Sequence, residues 1–76
     1  MQGDISLSRQ SIYPFNGKLL REERKKRKLS QTKLSVLLGY NNSCIHLYEL
    51  NRISPPLSFE LKVEEFFGVK EGYFRQ

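Results

Sequence analysis

From Phe15 to the end of the chain, apolar residues fall at helical spacing, and no stretch alternates apolar and polar as a strand would. Three segments open in the same way. Asn16 is preceded by Phe15 and followed at the fourth helical place by Leu20; Ser30 stands likewise between Leu29 and Leu34, and Asn41 between Tyr40 and Ile45. A short polar side chain accepts hydrogen bonds from the free N–H groups of a helix start, and the flanking apolar pair closes over it. The repeated device predicts helices over about 17–27, 31–38 and 42–50.

Gly39 can take the left-handed conformation that ends a helix, and only Tyr40 and Asn41 separate it from the third helix. So short a link makes the two helices cross steeply, as in a helix-turn-helix. Asn51–Pro56 reads as a loop. A fourth helix runs from Leu57 or Ser58 to Phe67, with Phe59, Leu61, Val63, Phe66 and Phe67 as its apolar residues, and Gly68 stops it. Tyr73 and Phe74 are expected to pack back onto the core. Met1–Tyr13 shows no sustained periodicity, and Pro14 keeps Tyr13 out of helical geometry. The chain therefore divides into an N-terminal arm (1–15) and one all-α domain (16–76), a compact bundle of four to five short helices.

Charge sharpens this picture. The formal net charge is +5 over 76 residues, and it is concentrated. Lys18, Arg21, Arg24, Lys25, Lys26, Arg27, Lys28 and Lys33 face only Glu22 and Glu23 in the same stretch, whereas Leu34–Tyr48 holds no Asp, Glu, Lys or Arg. A basic segment beside a neutral helical pair points to an anionic partner such as nucleic acid, and the alternative is a solvated helix face. The run Lys25–Lys28 would raise the field and speed encounter with DNA rather than read bases.

Other classes find little support. The single cysteine makes no internal disulfide and no thiolate metal cluster, and it suits a reducing cytoplasm. No apolar run approaches membrane length, and the N-terminus lacks the apolar core of a signal peptide. Cys44 and His46 are two residues apart on a helix and point to different sides, with no second histidine or cysteine to complete a metal site. Asp4 is the only aspartate, and no phosphate-cradling glycine loop is present. No catalytic residue, metal or cofactor is expected, and no separate ligand-binding domain. Cys44 is expected to be a small buried residue.

Gln31–Leu50 resembles the helix-turn-helix of the Xre/Cro/cI-type repressors, whose fold is lambda-repressor-like. The likeness rests on Leu29-Ser30-Gln31, Leu34, Leu38, Gly39, Ile45, Tyr48 and Glu49. Arg24, Pro55 and Phe67-Gly68-Val69 extend it to about residues 17–74. Ser35, Glu23 and Glu64 depart from the family pattern, which has alanine, an apolar residue and a small residue at those places.

The resemblance implies sequence-specific binding of double-stranded DNA by a small transcriptional regulator, a repressor of phage or mobile-element type. The third helix would lie in the major groove and read bases with Asn42, Ser43, His46 and Leu47. Asparagine suits the N7 and N6 edge of adenine, and leucine suits a thymine methyl. Asn42 could instead act as a second cap, and Leu47 could pack against the fourth helix or a second subunit. Gln31, Asn41, Asn51 and Arg52 would contact phosphates, with Lys33 and Lys18 as weaker candidates. Arg24 and Glu49 would form a partly buried structural ion pair. A homodimer on a palindromic operator is implied, and the aromatic Phe66, Phe67, Tyr73 and Phe74 are the candidate interface. The competing reading is a protein-interaction module, such as an antitoxin or small adaptor, that uses the same fold.

Overall fold

The structure, a computed structural model of the chain, describes residues 13–76. Four helices follow in order: α1 (Gly17–Lys26), α2 (Gln31–Leu38), α3 (Asn42–Glu49) and α4 (Leu57–Phe67). No strand occurs among the described residues, and the chain ends in a turn over 71–74. The fold is all-α, as expected. Residues 1–12, most of the predicted arm, lie outside the described residues. Phe15, at the arm's end, is buried in the core.

Each predicted cap is present. Asn16 Oδ1 accepts from the backbone N–H of Lys18 (3.0 Å) and Leu19 (3.4 Å). Ser30 Oγ accepts from Lys33 at 2.9 Å, and Asn41 Oδ1 from Cys44 at 3.2 Å. Gly39 closes α2 at φ 75° and Gly68 closes α4 at φ 70°, where a residue with a Cβ is strained. α1 and α3 each stop one residue earlier than the spacing suggests, with Arg27 and Leu50 as C-caps.

The core is built around Phe59. Its ring lies 4.7 Å from Tyr48, 5.1 Å from Tyr40 and 6.4 Å from Phe15. Leu20, Leu34, Leu38, Ile45 and Val63 complete the buried set. Where α2 crosses α3, Ser35 is buried, and its hydroxyl donates to the Thr32 carbonyl at 2.7 Å, so the departure from alanine leaves no unpaired polar group.

One contact was hidden in the sequence. A Cβ at Gly17 would stand 2.1 Å from the Tyr48 carbonyl oxygen and 2.6 Å from that of Glu49. The start of α1 therefore lies directly on the last turn of α3, backbone against backbone, and only glycine fits there. Asn51 completes the junction. It takes the left-handed conformation (φ 59°) at the end of α3 and accepts a hydrogen bond from Gly17 N–H at 3.0 Å on its Oδ1.

The last helix departs from expectation. Leu61 and Phe66 are exposed, while Glu60 and Glu64 lie on the inward face with Phe59, Val63 and Phe67. The C-terminal turn explains the exchange, because it brings partners for the acids. Arg75 forms a bidentate pair with Glu60 (Nη2–Oε1 2.8 Å, Nε–Oε2 3.1 Å), and Gly72 N–H donates to Glu64 at 3.0 Å. Phe74 is fully buried, and its carbonyl accepts from Asn16 N–H at 2.6 Å, so the tail ties the start of α1 to α4. Phe67 and Phe74 are thus core residues and cannot form the predicted subunit interface. Cys44 is half-buried rather than buried.

Glu23, where the family pattern has an apolar residue, follows the same logic. Its buried carboxylate accepts from Tyr73 Oη (2.6 Å), Arg27 Nη1 (2.6 Å) and Lys26 Nζ (3.0 Å). These donors, Tyr73 foremost and then Arg27, outweigh burial and lower its pKa to about 2 against an ordinary 4.5. A depressed carboxylate pKa stabilises the fold above pH 4.5, and that contribution is lost as pH falls toward 2. Urea unfolding of wild type and Glu23→Gln should differ by about 2–3 kcal/mol at neutral pH, with the gap closing in acid. A gap independent of pH would contradict this role. Tyr73→Phe should narrow the gap by removing the leading donor.

Candidate nucleic-acid interface

A buried ion pair joins α1 to the end of α3. Arg24 of α1 meets Glu49 of α3 side-on, Nε to Oε2 at 2.6 Å and Nη2 to Oε1 at 3.0 Å. The third guanidinium nitrogen donates to the Leu29 carbonyl at 2.7 Å, and Gln31 Nε2 donates to Glu49 Oε1 at 2.9 Å. Four chain segments therefore converge on two charges: α1, the connector after it, the first residue of α2, and the last residue of α3. The side chains of Arg24 and Glu49 are only 8% and 2% exposed, so every hydrogen bond counts against their desolvation.

This lock decides which side of α3 faces outward. Ile45, Tyr48 and Glu49 point into the protein, whereas Asn42, Ser43 and His46 are exposed and Leu47 is half-buried. Asn42 and His46 are one turn apart on one face. The capping duty falls on Asn41 Oδ1, not on Asn42. The outward face carries an amide, a hydroxyl and an imidazole, a set able to donate to and accept from base edges.

The predicted phosphate contacts are spread over two regions. Gln31 and Lys33 lie in the first turn of α2, and Asn41 caps the start of α3, helix ends whose free N–H groups favour an anion. Gln31 is half-buried and already donates to Glu49, so its first role in the structure is to orient that carboxylate. Asn51 and Arg52 follow α3 and are exposed, but Asn51 Oδ1 holds Gly17. Gln31 and His46 line one cleft of about 440 Å³ with Lys18, Arg21, Arg24, Lys25, Glu49 and Leu50. Asn51 lines a separate groove with Tyr13, Asn16, Ile53 and Gln76.

No group of histidine, cysteine and acidic residues able to hold a metal is found among the described residues, and none of their helices is long and apolar enough to cross a membrane. The basic run proves heterogeneous. Arg27 serves the fold: it pairs with Glu23, donates to the Phe67 carbonyl at 2.9 Å and lies 4.3 Å over the Phe67 ring. The sequence signal for this was Glu23 four residues before Arg27, a spacing that pairs opposite charges on a helix.

Because removing one member of a buried pair strands the other, Arg24→Ala and Glu49→Ala should each destabilise the protein by about 3–5 kcal/mol. In a double-mutant cycle read by chemical denaturation, the double variant should lose much less than the sum. Additive losses would show that the two charges act independently.

A comparison with family models matches residues 20–74 to a helix-turn-helix family. No curated protein and no solved structure matches the chain. The matched region runs from within α1 through the C-terminal turn and takes in the α2–α3 pair and the Arg24–Glu49 lock. The chain belongs to the Xre/cI-type helix-turn-helix family of DNA-binding regulators.

Proposed function

We propose that the protein is a sequence-specific transcriptional repressor of phage or mobile-element type, which sets α3 in the major groove of double-stranded DNA. The observation that carries this reading is the exposure of Asn42, Ser43 and His46 on the one face of α3 that the core leaves unused. These three residues read bases, with Leu47 at the margin available to a thymine methyl. Gln31, Lys33 and Asn41 at the starts of α2 and α3, and Asn51 and Arg52 after α3, hold phosphates and fix register.

A homodimer on a palindromic operator follows from the size of the unit. One α3 of eight residues covers one half-site, and a second copy about one DNA turn away supplies the other. The aromatic cluster is largely unavailable for this, since Phe67 and Phe74 are buried. Leu57 and Leu61, one turn apart on α4 and exposed, take its place as the surface offered to the second copy. Sedimentation equilibrium should show a dimer that Leu61→Glu dissociates, with weaker operator binding. A wild-type monomer that still protects a full palindrome would contradict the interface.

Binding-site selection from random duplexes tests the reading face. Wild type should recover a defined motif, and Asn42→Ala should relax one position in each half-site at a cost of about 1–3 kcal/mol. Arg52→Ala should weaken all sequences nearly alike. An unchanged motif with Asn42→Ala would remove that residue from the reading face.

A further inference from the structure

The basic run splits into two sets by what its members touch. Lys26 and Arg27 turn toward Glu23 and are held there by ion pairs of 3.0 and 2.6 Å. Arg24 is neutralised by Glu49. Lys18, Arg21, Lys25 and Lys28 remain, and the first three lie within α1. These three are exposed, recur every three or four residues on one face of α1, and have no acidic partner among the described residues. Glu22 lies among them, lining a shallow groove with Lys18, Arg21, Lys25 and Lys26, and forms no ion pair with any of them among the described residues.

That face does not look into open solvent alone. Lys18, Arg21 and Lys25 of α1 line the 440 Å³ cleft together with Gln31 of α2 and with His46 and Leu50 at the end of α3. The Arg24–Glu49 pair, also in the lining, is already satisfied. A cleft lined by a neutralised ion pair, three cations and a proposed base-reading residue has the form of a seat for a polyanionic backbone. The sequence alone hid this, because the same residues sit in a continuous run with Lys26 and Arg27.

We infer that Lys18, Arg21 and Lys25 form a phosphate track on α1, which holds the DNA backbone flanking the major groove that α3 enters. The inference rests on the DNA-binding reading above and adds a contact surface to it. The track carries no sequence preference, because its partners are phosphates, and it supplies much of the salt-dependent affinity that the uncharged α3 face cannot. Lys26 shares that surface but contributes less, because its ammonium is already paired with Glu23 at 3.0 Å.

The test is a salt titration of binding to the selected duplex and to a random one. It uses the full chain and three variants: Lys18→Gln/Arg21→Gln/Lys25→Gln, Lys26→Gln and Arg21→Lys. All substituted side chains are exposed, and circular dichroism checks that helix content is kept. Each phosphate contact contributes a slope of about −0.9 in log affinity against log salt, so the triple variant should flatten the slope by about 2–3. Between about 50 and 200 mM salt it should lose roughly 40-fold less affinity than wild type does. Arg21→Lys should keep the wild-type slope, Lys26→Gln should lose less than one third of the triple variant's loss, and the selected motif should not change in any variant. A triple variant with the wild-type slope overturns the track while leaving DNA binding in place. A slope loss from Lys26→Gln as large as one third of the triple variant's overturns it too, in favour of a diffuse field. A wild type that binds neither duplex at any salt overturns the track together with the function on which it rests.

Discussion

The Arg24–Glu49 pair is the constraint on which the arrangement depends. A buried arginine and glutamate are expensive to desolvate, and they are tolerated because almost every donor and acceptor around them is matched. Arg24 reaches Glu49 twice and Leu29 once, and Gln31 adds a third donor to the carboxylate. The geometry of a bidentate guanidinium–carboxylate pair is directional, so it fixes the rotation of α3 about its own axis as apolar packing alone would not. With Glu49 turned inward, Asn42, Ser43 and His46 must face outward. Gly17 then lets the backbone of α1 rest on the last turn of α3, and Asn51 closes that joint from the other side.

The acidic residues divide the basic ones between structure and surface. Glu23 recruits Lys26, Arg27 and Tyr73, Glu60 recruits Arg75, and Glu64 recruits the backbone of Gly72. These contacts use the C-terminal tail as the binding partner of three buried carboxylates, and the tail in turn seals the core with Phe74. The charges left over lie mostly on α1 and at the start of α2, around the polar face of α3. In the proposed DNA complex, a neutral α3 between cationic flanks separates recognition from attraction, with base contacts deciding sequence and phosphates supplying affinity and its dependence on salt.

Much of this was legible before any coordinates. Asn16, Ser30, Asn41, Gly39 and Gly68 are local signals, decided within a few residues by capping chemistry and backbone sterics, and they placed all four helices to within a residue. The Arg24–Glu49 pair was implied by resemblance, not by spacing, since 25 residues separate its members. What could not be read is long-range pairing. Glu60 and Glu64 look like solvent-facing residues of a helix whose apolar positions are Leu61 and Phe66; only Arg75 and Gly72, brought back by the tail, reverse that assignment. Gly17 looks like an ordinary helix-start glycine until the carbonyls of Tyr48 and Glu49 come to lie against it. The division of the basic run is hidden for the same reason, because Lys25 and Lys26 are neighbours in sequence and only Lys26 is paired with an acid.

The central claim is that the outward face of α3 and the N-terminus of α2 meet DNA while the rest of the fold holds them. Amide chemical-shift mapping of the isotope-labelled protein against a selected duplex tests it most directly. The largest shifts should fall at Gln31–Lys33 and Asn41–Leu47, with the buried amides around Phe59 and Val63 nearly unmoved. Shifts concentrated on α4, with Asn42, Ser43 and His46 unaffected, would contradict the account.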